Sequence, residues 1–353
     1  PQERLFNPVT NRFAVLIPAR DESQTIAGLL QTLDEQDYPK DRRDVYVIVK
    51  DPHDPTIGIA AAHGFKSLVC ETQTRKGEAL DYAFKALAKK QLYYDAYFII
   101  DADCWMAPLC LRECNNALAS GRDVVFCKKT LKNYRAKGKH PGPLPPLASG
   151  MVWTVIDELG NRYKSDRNLP EMTISTGQVL TRRVVERLQG FPFCQTLTED
   201  MEFMFASPLY GFTHYYASRA VIYMEEAESL AETQKRHNRW VGGYVAAKRL
   251  YAARLKRKLR TPRGLFTYYL LDNLYLPFFF LGLAAAFALG TLLASAVFAL
   301  LSAWSTAAWF LADALVAVGF VYLCFGVMTA FALAADRKTM NCGFLTKLAL
   351  LFV

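Results

Sequence analysis

The stretch Tyr97-Phe-Ile-Ile-Asp-Ala-Asp-Cys104 decides how the rest of this 353-residue chain is read. Tyr97 to Ile100 are aromatic or β-branched, the composition of a buried strand. Asp101 and Asp103 follow at its C-terminal end, where open α/β sheets bind their ligands. Two carboxylates one residue apart suit a hard divalent cation and the phosphate oxygens it bridges. An acidic turn after a strand would look the same in isolation, because Asp is a common turn residue. The flanking sequence has to separate the two.

Upstream, Phe13 to Ile17 reads as a short buried strand ending in Pro18-Ala-Arg-Asp-Glu22, with Ser23 as the N-cap of a helix through Leu33. Val45 to Val49 is a second strand, ending at Lys50-Asp51, and Thr56 to His63 is a helix stopped by Gly64. Ser67 to Cys70 is a third strand, and Lys76-Gly77 leads into a helix from Glu78 to Lys90. This alternation predicts an α/β fold, a mostly parallel, Rossmann-like sheet with helices on both faces.

Downstream, a helix is expected at Leu111 to Ala119 and a strand at Val124 to Phe126. The stretch Lys128 to Gly150, rich in Lys, Gly and Pro, reads as a loop, either a solvated linker or a mobile loop beside the site. Ser175-Thr-Gly-Gln178 precedes a helix at Arg182 to Leu188. Thr198-Glu-Asp200 opens a helix through Leu209, with Asp200 in the first turn, where the macrodipole favours a carboxylate. Thr213 to Tyr216 and Ala220 to Met224 read as two short strands.

From Ser229 the character changes. Leu230 to Tyr251 alternates basic and apolar faces at helical spacing and carries Arg236-His-Asn-Arg-Trp240. A dense basic run, Arg254 to Arg263, stands directly before the apolar region. That position marks the cytoplasmic side of a membrane and attraction to anionic lipid head groups, rather than nucleic-acid binding. No charged residue occurs from Leu274 to Ala312. Two spans are predicted, at about 269–301 and 307–335, with a turn at Ser302 to Thr306. Asp336-Arg-Lys338 then returns to the basic side, and Cys342 to Val353 reads as an interfacial helix or the start of another span. The polar N-terminus is no secretory signal, and Pro1 is not an initiator Met, so residues are expected upstream. The eight cysteines form no framework. Cys110 and Cys114, four apart on a helix, read as core thiols rather than a zinc site, which fits a reducing compartment.

Read together, five elements fit a nucleotide-sugar site. Pro18, Ala19, Arg20 and Glu22 can hold the nucleotide, and Asp51 can accept a hydrogen bond from the base or ribose. Lys76 can neutralise a diphosphate, and Asp101 and Asp103 can hold a cation on it. Asp200 can take a proton from an attacking hydroxyl. The motifs Pro18 to Glu22, Asp51 to Thr56, Arg75-Lys-Gly77, Asp101-Ala-Asp103, Thr198-Glu-Asp200 and Arg236 to Trp240 occur in one order over residues 13 to 240. In this the chain resembles the membrane-integrated family 2 glycosyltransferases of GT-A fold, the group of cellulose, chitin and hyaluronan synthases. The resemblance implies that Asp101 and Asp103 bind UDP and a Mn²⁺ or Mg²⁺ ion, and that Asp200 is the general base. It also implies that Arg236, Arg239 and Trp240 lie on an interface helix near the diphosphate, with Trp240, Glu199 and Asp200 beside the acceptor.

Two positions depart from the family pattern. Lys50 stands where an acid is usual at the second strand end, and Arg236 stands where polymerising members carry Gln. Two spans are also few for a polymer channel. Transfer of one or a few sugars to a lipid or short glycan is therefore expected, with a processive, polymer-secreting synthase as the alternative. The implied organisation is a GT-A domain over 1–228, interface helices over 229–264 and a membrane region over 265–353. The catalytic domain would face the cytoplasm at a bacterial plasma membrane. The partners are a UDP-sugar, a lipid or glycan acceptor and membrane lipids, with no nucleic acid; a homo-oligomer stays open. A nucleotidyltransferase would need a glycine-rich phosphate loop after the first strand, and residues 18–22 contain no glycine. A silent scaffold would not need Asp101, Asp103 and Asp200.

Overall fold

Period-two burial organises the head. In β1 (Phe13–Pro18), Phe13, Val15 and Ile17 enter one apolar cluster, while Ala14 and Leu16 enter another on the opposite face. The computed structural model describes residues 7–132, 144–170, 176–258, 260 and 275–335. In chain order, β1 is followed by α1 (Ile26–Asp34), β2 (Arg43–Val49), α2 (Thr56–Ala62), β3 (Lys66–Val69), α3 (Lys76–Lys89) and β4 (Ala96–Ile99). Next come β5 (Trp105–Met106), α4 (Cys110–Leu118), β6 (Val124–Leu131), α5 (Leu144–Val155), a π-helical turn (Ile156–Asn161) and α6 (Arg162–Asp166). The head closes with β7 (Gln178–Thr181), α7 (Arg182–Leu188), α8 (Glu199–Tyr210), β8 (His214–Met224) and α9 (Leu230–Lys258).

The strands form one sheet in the order β3-β2-β1-β4-β7-β6-β8-β5. The first four are mutually parallel, as the alternation predicts. The second half is mixed: β7 runs antiparallel to both neighbours, β6 pairs parallel with β8, and β5 pairs antiparallel with it. Apolar residues of α1 and α4 cover one face, and those of α3, α7, α8 and α9 cover the other. The carboxyl ends of β1 and β4 thus open side by side.

Four expectations are corrected. Ser23 does not cap α1; Asp21 takes a left-handed conformation (φ 61°), the chain turns, and Thr25 becomes the N-cap. The expected loop from Lys128 to Gly150 begins as strand, since β6 runs to Leu131, and ends inside α5; residues 133–143 lie outside the described residues. The two short strands after Thr213 are one, β8. Ala217 pairs with Cys127 and Val221 with Lys128, so a bulge absorbs the polar Ser218-Arg219 without ending the ladder. The turn between the apolar helices is tighter than expected, leaving Trp304 to Thr306 helical.

Behind the sheet lies a sealed ion pair. Lys129 Nζ stands 2.7 Å from Asp157 Oδ1, and the two side chains are 2% and 0% exposed. Asp157 also accepts the Lys129 N–H at 2.8 Å and the Asn161 side-chain amide at 2.8 Å. Its neighbour Glu158 binds Lys128 at 3.0 Å and also Arg162.

After α9 come α10 (Tyr275–Leu300) and α11 (Trp304–Ala335), joined through Ser302 at φ 58°. They pair as a hairpin: Ser295 Oγ donates to Ala307 O at 2.8 Å, and Phe298 stacks on Phe310 at 5.4 Å. Both are long and apolar enough to cross a membrane, with mean hydropathy 2.2 over Gly282–Leu300 and over Trp304–Ala335. At the far end of α11, Ala332 is fully buried in the head's core, in the cluster that holds Leu147, Met151 and Trp153 of α5. The proposed basic break at Asp336 to Lys338 and the apolar stretch Cys342 to Val353 lie outside the described residues.

Candidate active site

A cleft of about 480 Å³ opens where β1 and β4 end. Pro18, Arg20 and Glu22 line it from the β1 end, and Asp101 and Asp103 from the β4 end. Lys76 enters from the first residue of α3, Glu199 and Asp200 from the first turn of α8, and Arg236, Arg239 and Trp240 from α9. These are the sequence candidates with two exceptions. Ala19 is fully buried and donates its N–H to Ile48 O at 2.8 Å. Asp51 is exposed, and its carboxylate accepts the His53 N–H at 2.8 Å. Neither lines the cleft.

Two glycines allow the elements to converge. A Cβ on Gly77 would overlap the Phe193 carbonyl and lie 3.2 Å from Glu199 Cβ. The start of α3 therefore reaches the start of α8 only because residue 77 has no side chain. A Cβ on Gly243 would likewise overlap the Thr198 side chain, so α9 lies directly against the N-terminus of α8.

The electrostatics centre on one ammonium among several carboxylates. Lys76 Nζ bonds Asp101 directly and lies 3.8 Å from Glu199. Burial alone would depress its pKa, but Asp101, Glu199 and Asp200 outweigh burial and hold it above the ordinary lysine value. Burial, reinforced by Asp101, raises the Asp103 pKa against the pull of Lys132. Thr176 Oγ1 accepts the Asp101 N–H at 3.1 Å and fixes the end of β4. Asp200 accepts the Met201 N–H at 2.8 Å, so its carboxylate is anchored within the first turn.

One oxygen each from Asp101 and Asp103 and the Cys104 sulfur lie within 4.8 Å of one another. Burial first, and then both carboxylates, push the Cys104 thiol well above its ordinary pKa. The usable donors are thus two carboxylates, a set that fits a hard divalent cation. A second group, Cys110, Cys114 and Cys127, packs three buried thiols within 4.8 Å, one donor short of a structural zinc site. Cys127 joins the two core cysteines expected from the sequence.

Sequence reasoning gave no role to Trp153, Thr176 or Glu226, all of which line the cleft. Glu226 accepts the Trp153 indole N–H at 2.9 Å and pairs with Arg236 at 3.5 Å. Arg236 also donates to the Glu225 carbonyl at 3.1 Å. Thr176, beside a glycine at a strand entry, was legible as a motif; the other two had no sequence signal.

Residues 10–243 match the family model described as Glycosyltransferase like family 2. The chain belongs to glycosyltransferase family 2. The matched segment holds every cleft residue named above, and its sheet and flanking helices make a GT-A domain, followed by the two apolar helices. Among solved structures, the mannosyltransferase PcManGT from Pyrobaculum calidifontis, determined with GDP-Man and Mn²⁺, matches at TM-score 0.52. Its identity is 19%, over 90% of this family 2 chain and 89% of that one. TarS 1–349 of S. aureus, in complex with UDP-GlcNAc, matches at TM-score 0.49 and 18% identity, over 69% and 66%. The chain spans 40% of a longer TarS structure. Likeness at such identities concerns the fold. No curated protein sequence matches the chain.

Proposed function

We propose that this chain transfers a sugar from a UDP-sugar to a hydroxyl acceptor with inversion, at the cytoplasmic face of a membrane. The observation that carries this reading is the convergence of Lys76, Asp101, Asp103 and Asp200, from separate chain segments, on one cleft. Nucleotide-sugar donors accompany two of the related folds, UDP-GlcNAc in TarS and GDP-Man with Mn²⁺ in PcManGT.

Asp101 and Asp103 would hold the cation. Mn²⁺ or Mg²⁺, when bound there, supplies positive charge to the donor diphosphate. The chain's own residues do the rest. Lys76 turns part of its charge from Asp101 to the diphosphate, and Arg239, exposed on the cleft wall, adds a second cation. Asp200, held in the first turn of α8, takes the proton of the acceptor hydroxyl as that oxygen attacks opposite the departing UDP. Pro18, Arg20 and Glu22 shape the nucleotide end, where Arg20 is steadied on the Thr74 carbonyl at 3.2 Å.

The hairpin α10–α11 is placed in the bilayer, with the basic end of α9 on the cytoplasmic side. A cysteine introduced by Arg257→Cys should stay unlabelled by an impermeant thiol reagent on sealed, right-side-out cells; ready labelling would reverse the topology. A donor panel tests the activity. Purified protein is incubated with UDP-glucose, UDP-galactose, UDP-N-acetylglucosamine, UDP-glucuronate and GDP-mannose, with Mn²⁺ or Mg²⁺ and with excess chelator. Metal-dependent nucleotide release from a UDP-sugar is expected, and no release from any donor would sink the reading.

A further inference from the structure

Three sulfurs converge between α4 and the sheet. Cys110 and Cys114 stand four residues apart on α4, so their side chains share one face of that helix. Cys127 meets them from β6, and the Sγ atoms of Cys114 and Cys127 are 3.6 Å apart. All three sulfurs lie within 4.8 Å of one another, and the residues are 0%, 0% and 1% exposed. None is in a disulfide. At a metal–sulfur bond of about 2.3 Å, the Zn–S value, three sulfurs in a plane around one ion stand about 4.0 Å apart. The triangle therefore already has the size of a three-sulfur metal site.

We propose that Cys110, Cys114 and Cys127 form a site for one soft, monovalent metal ion of the Cu(I) kind, bound through three sulfurs in a plane. Sulfur ligands select soft ions. A structural zinc needs a fourth donor, and among the described residues none joins the group. Charge picks the monovalent ion. Burial pushes the Cys110 and Cys114 thiols well above their ordinary pKa. Burial acts the same way on Cys127, but hydrogen bonds from Cys110 and Cys114, and then the Lys129 ammonium, outweigh it and bring that thiol below its ordinary value. The cluster then carries one negative charge, which a monovalent ion cancels. A divalent ion has to expel a second proton from a thiol that burial holds. The ion ties α4 to β6 behind the strand end that serves the cleft. The Cys127 N–H donates to Gly177 O at 2.9 Å, and a Cβ on Gly177 would lie 3.1 Å from the Cys127 Cβ. Thr176, next in the chain, holds the Asp101 N–H at 3.1 Å. Metal binding here does not depend on what the cleft transfers.

The test uses the full chain in detergent under reducing, anaerobic conditions, with Cu(I) supplied as its glutathione complex and bathocuproine disulfonate as the competing chelator. One tightly held equivalent is expected, and copper X-ray absorption should show a shell of three sulfurs without nitrogen or oxygen. Cys127→Ala should weaken that equivalent by more than the about 10–100-fold that loss of an outer-shell partner costs. Cys194→Ala, at a thiol outside the cluster, should leave it unchanged. Cu(I) should also raise the melting temperature of the wild type and not that of Cys127→Ala. If Cys127→Ala does not fold, Cys114→Ala takes its place, and the absorption spectrum of the wild type decides by itself. No uptake by the wild type overturns the site. So does a linear two-sulfur shell, full affinity in Cys127→Ala, or an equal loss in Cys127→Ala and Cys194→Ala.

Discussion

Two lysine–aspartate pairs in this chain look alike in sequence and differ in accounting. Lys129 and Asp157 are sealed behind the sheet, and every contact they make closes: ammonium, backbone N–H and Asn161 amide all converge on one carboxylate. Lys76 and Asp101 stand in the cleft, the lysine side chain 22% and the aspartate 37% exposed. There one ammonium serves Asp101, Glu199 and Asp200 at once. The first pair is complete: its buried charges are matched within the fold. The second stands in an open cleft lined by both signs of charge, where a ligand can reach it. A sealed pair has only its own partners, whereas a shared pair in an open cleft can exchange contacts with a ligand.

The comparison can be broken from either side. The largest effect is expected in the cleft: Asp200→Asn should lower transfer by at least about 10²-fold, because it removes the proposed base, while UDP affinity changes little. Asp101→Asn should weaken both, and calorimetry with UDP and Mn²⁺ beside a turnover assay separates the two. Equal loss of UDP binding in both variants would move Asp200 to the nucleotide site. In the core, Lys129→Met should cost about 3–5 kcal/mol, since it strands a buried carboxylate, whereas Lys76→Met should cost less than about 1 kcal/mol of stability. Denaturant unfolding in detergent compares them. The double variant Lys129→Met/Asp157→Leu should recover most of the loss; no recovery would mean that the pair does more than cancel its own charges.

The smallest effect expected is a pH dependence beside the sealed pair. Burial pushes the Glu158 carboxyl upward, but hydrogen bonds from Arg162 and Lys128 outweigh it and hold the pKa below the usual 4.5. A depressed carboxylate stabilises the fold fully above its unfolded pKa and loses that contribution as pH falls through the folded value. The melting-temperature difference between the wild type and Glu158→Gln should therefore be constant from pH 7 to about 5 and shrink below about 4.5. A difference that grows on acidification would refute the assignment.

The β1–β4 end of the cleft was legible because it is written locally. Pro18 ends β1 and Asp101 stands two residues past β4, and α/β sheets place strand ends together, so their convergence follows from the alternation alone. The family motifs brought Asp200 and Trp240 to the same place. The wall behind Trp240 was not legible. α5 opens Leu144-Pro-Pro, after a stretch of Lys, Gly and Pro, and reads as loop, although proline in a first helical turn removes only an N–H that has no partner there. Glu226 shows no periodicity two residues past a strand, and its importance lies in partners 73 residues upstream and ten residues downstream. The β8 bulge was hidden because polar residues inside a strand look like a turn until the partner strand is known. Ala19 and Asp51 belong to the right motifs, but neighbouring backbone groups use their polar atoms.

The burial of Ala332 gives the hairpin a metric meaning. α11 has 32 residues, about 48 Å of helix at 1.5 Å per residue. A hydrocarbon core takes about 30 Å of that. With the hairpin set in a bilayer as proposed, about 18 Å stands clear of the hydrocarbon, and its end is embedded in the cluster that carries Trp153. The helix is then a stilt of fixed height. It would set how far above the lipid surface the cleft stands, and adding or removing a helical turn in α11 would shift that height by about 5 Å without touching a residue of the cleft.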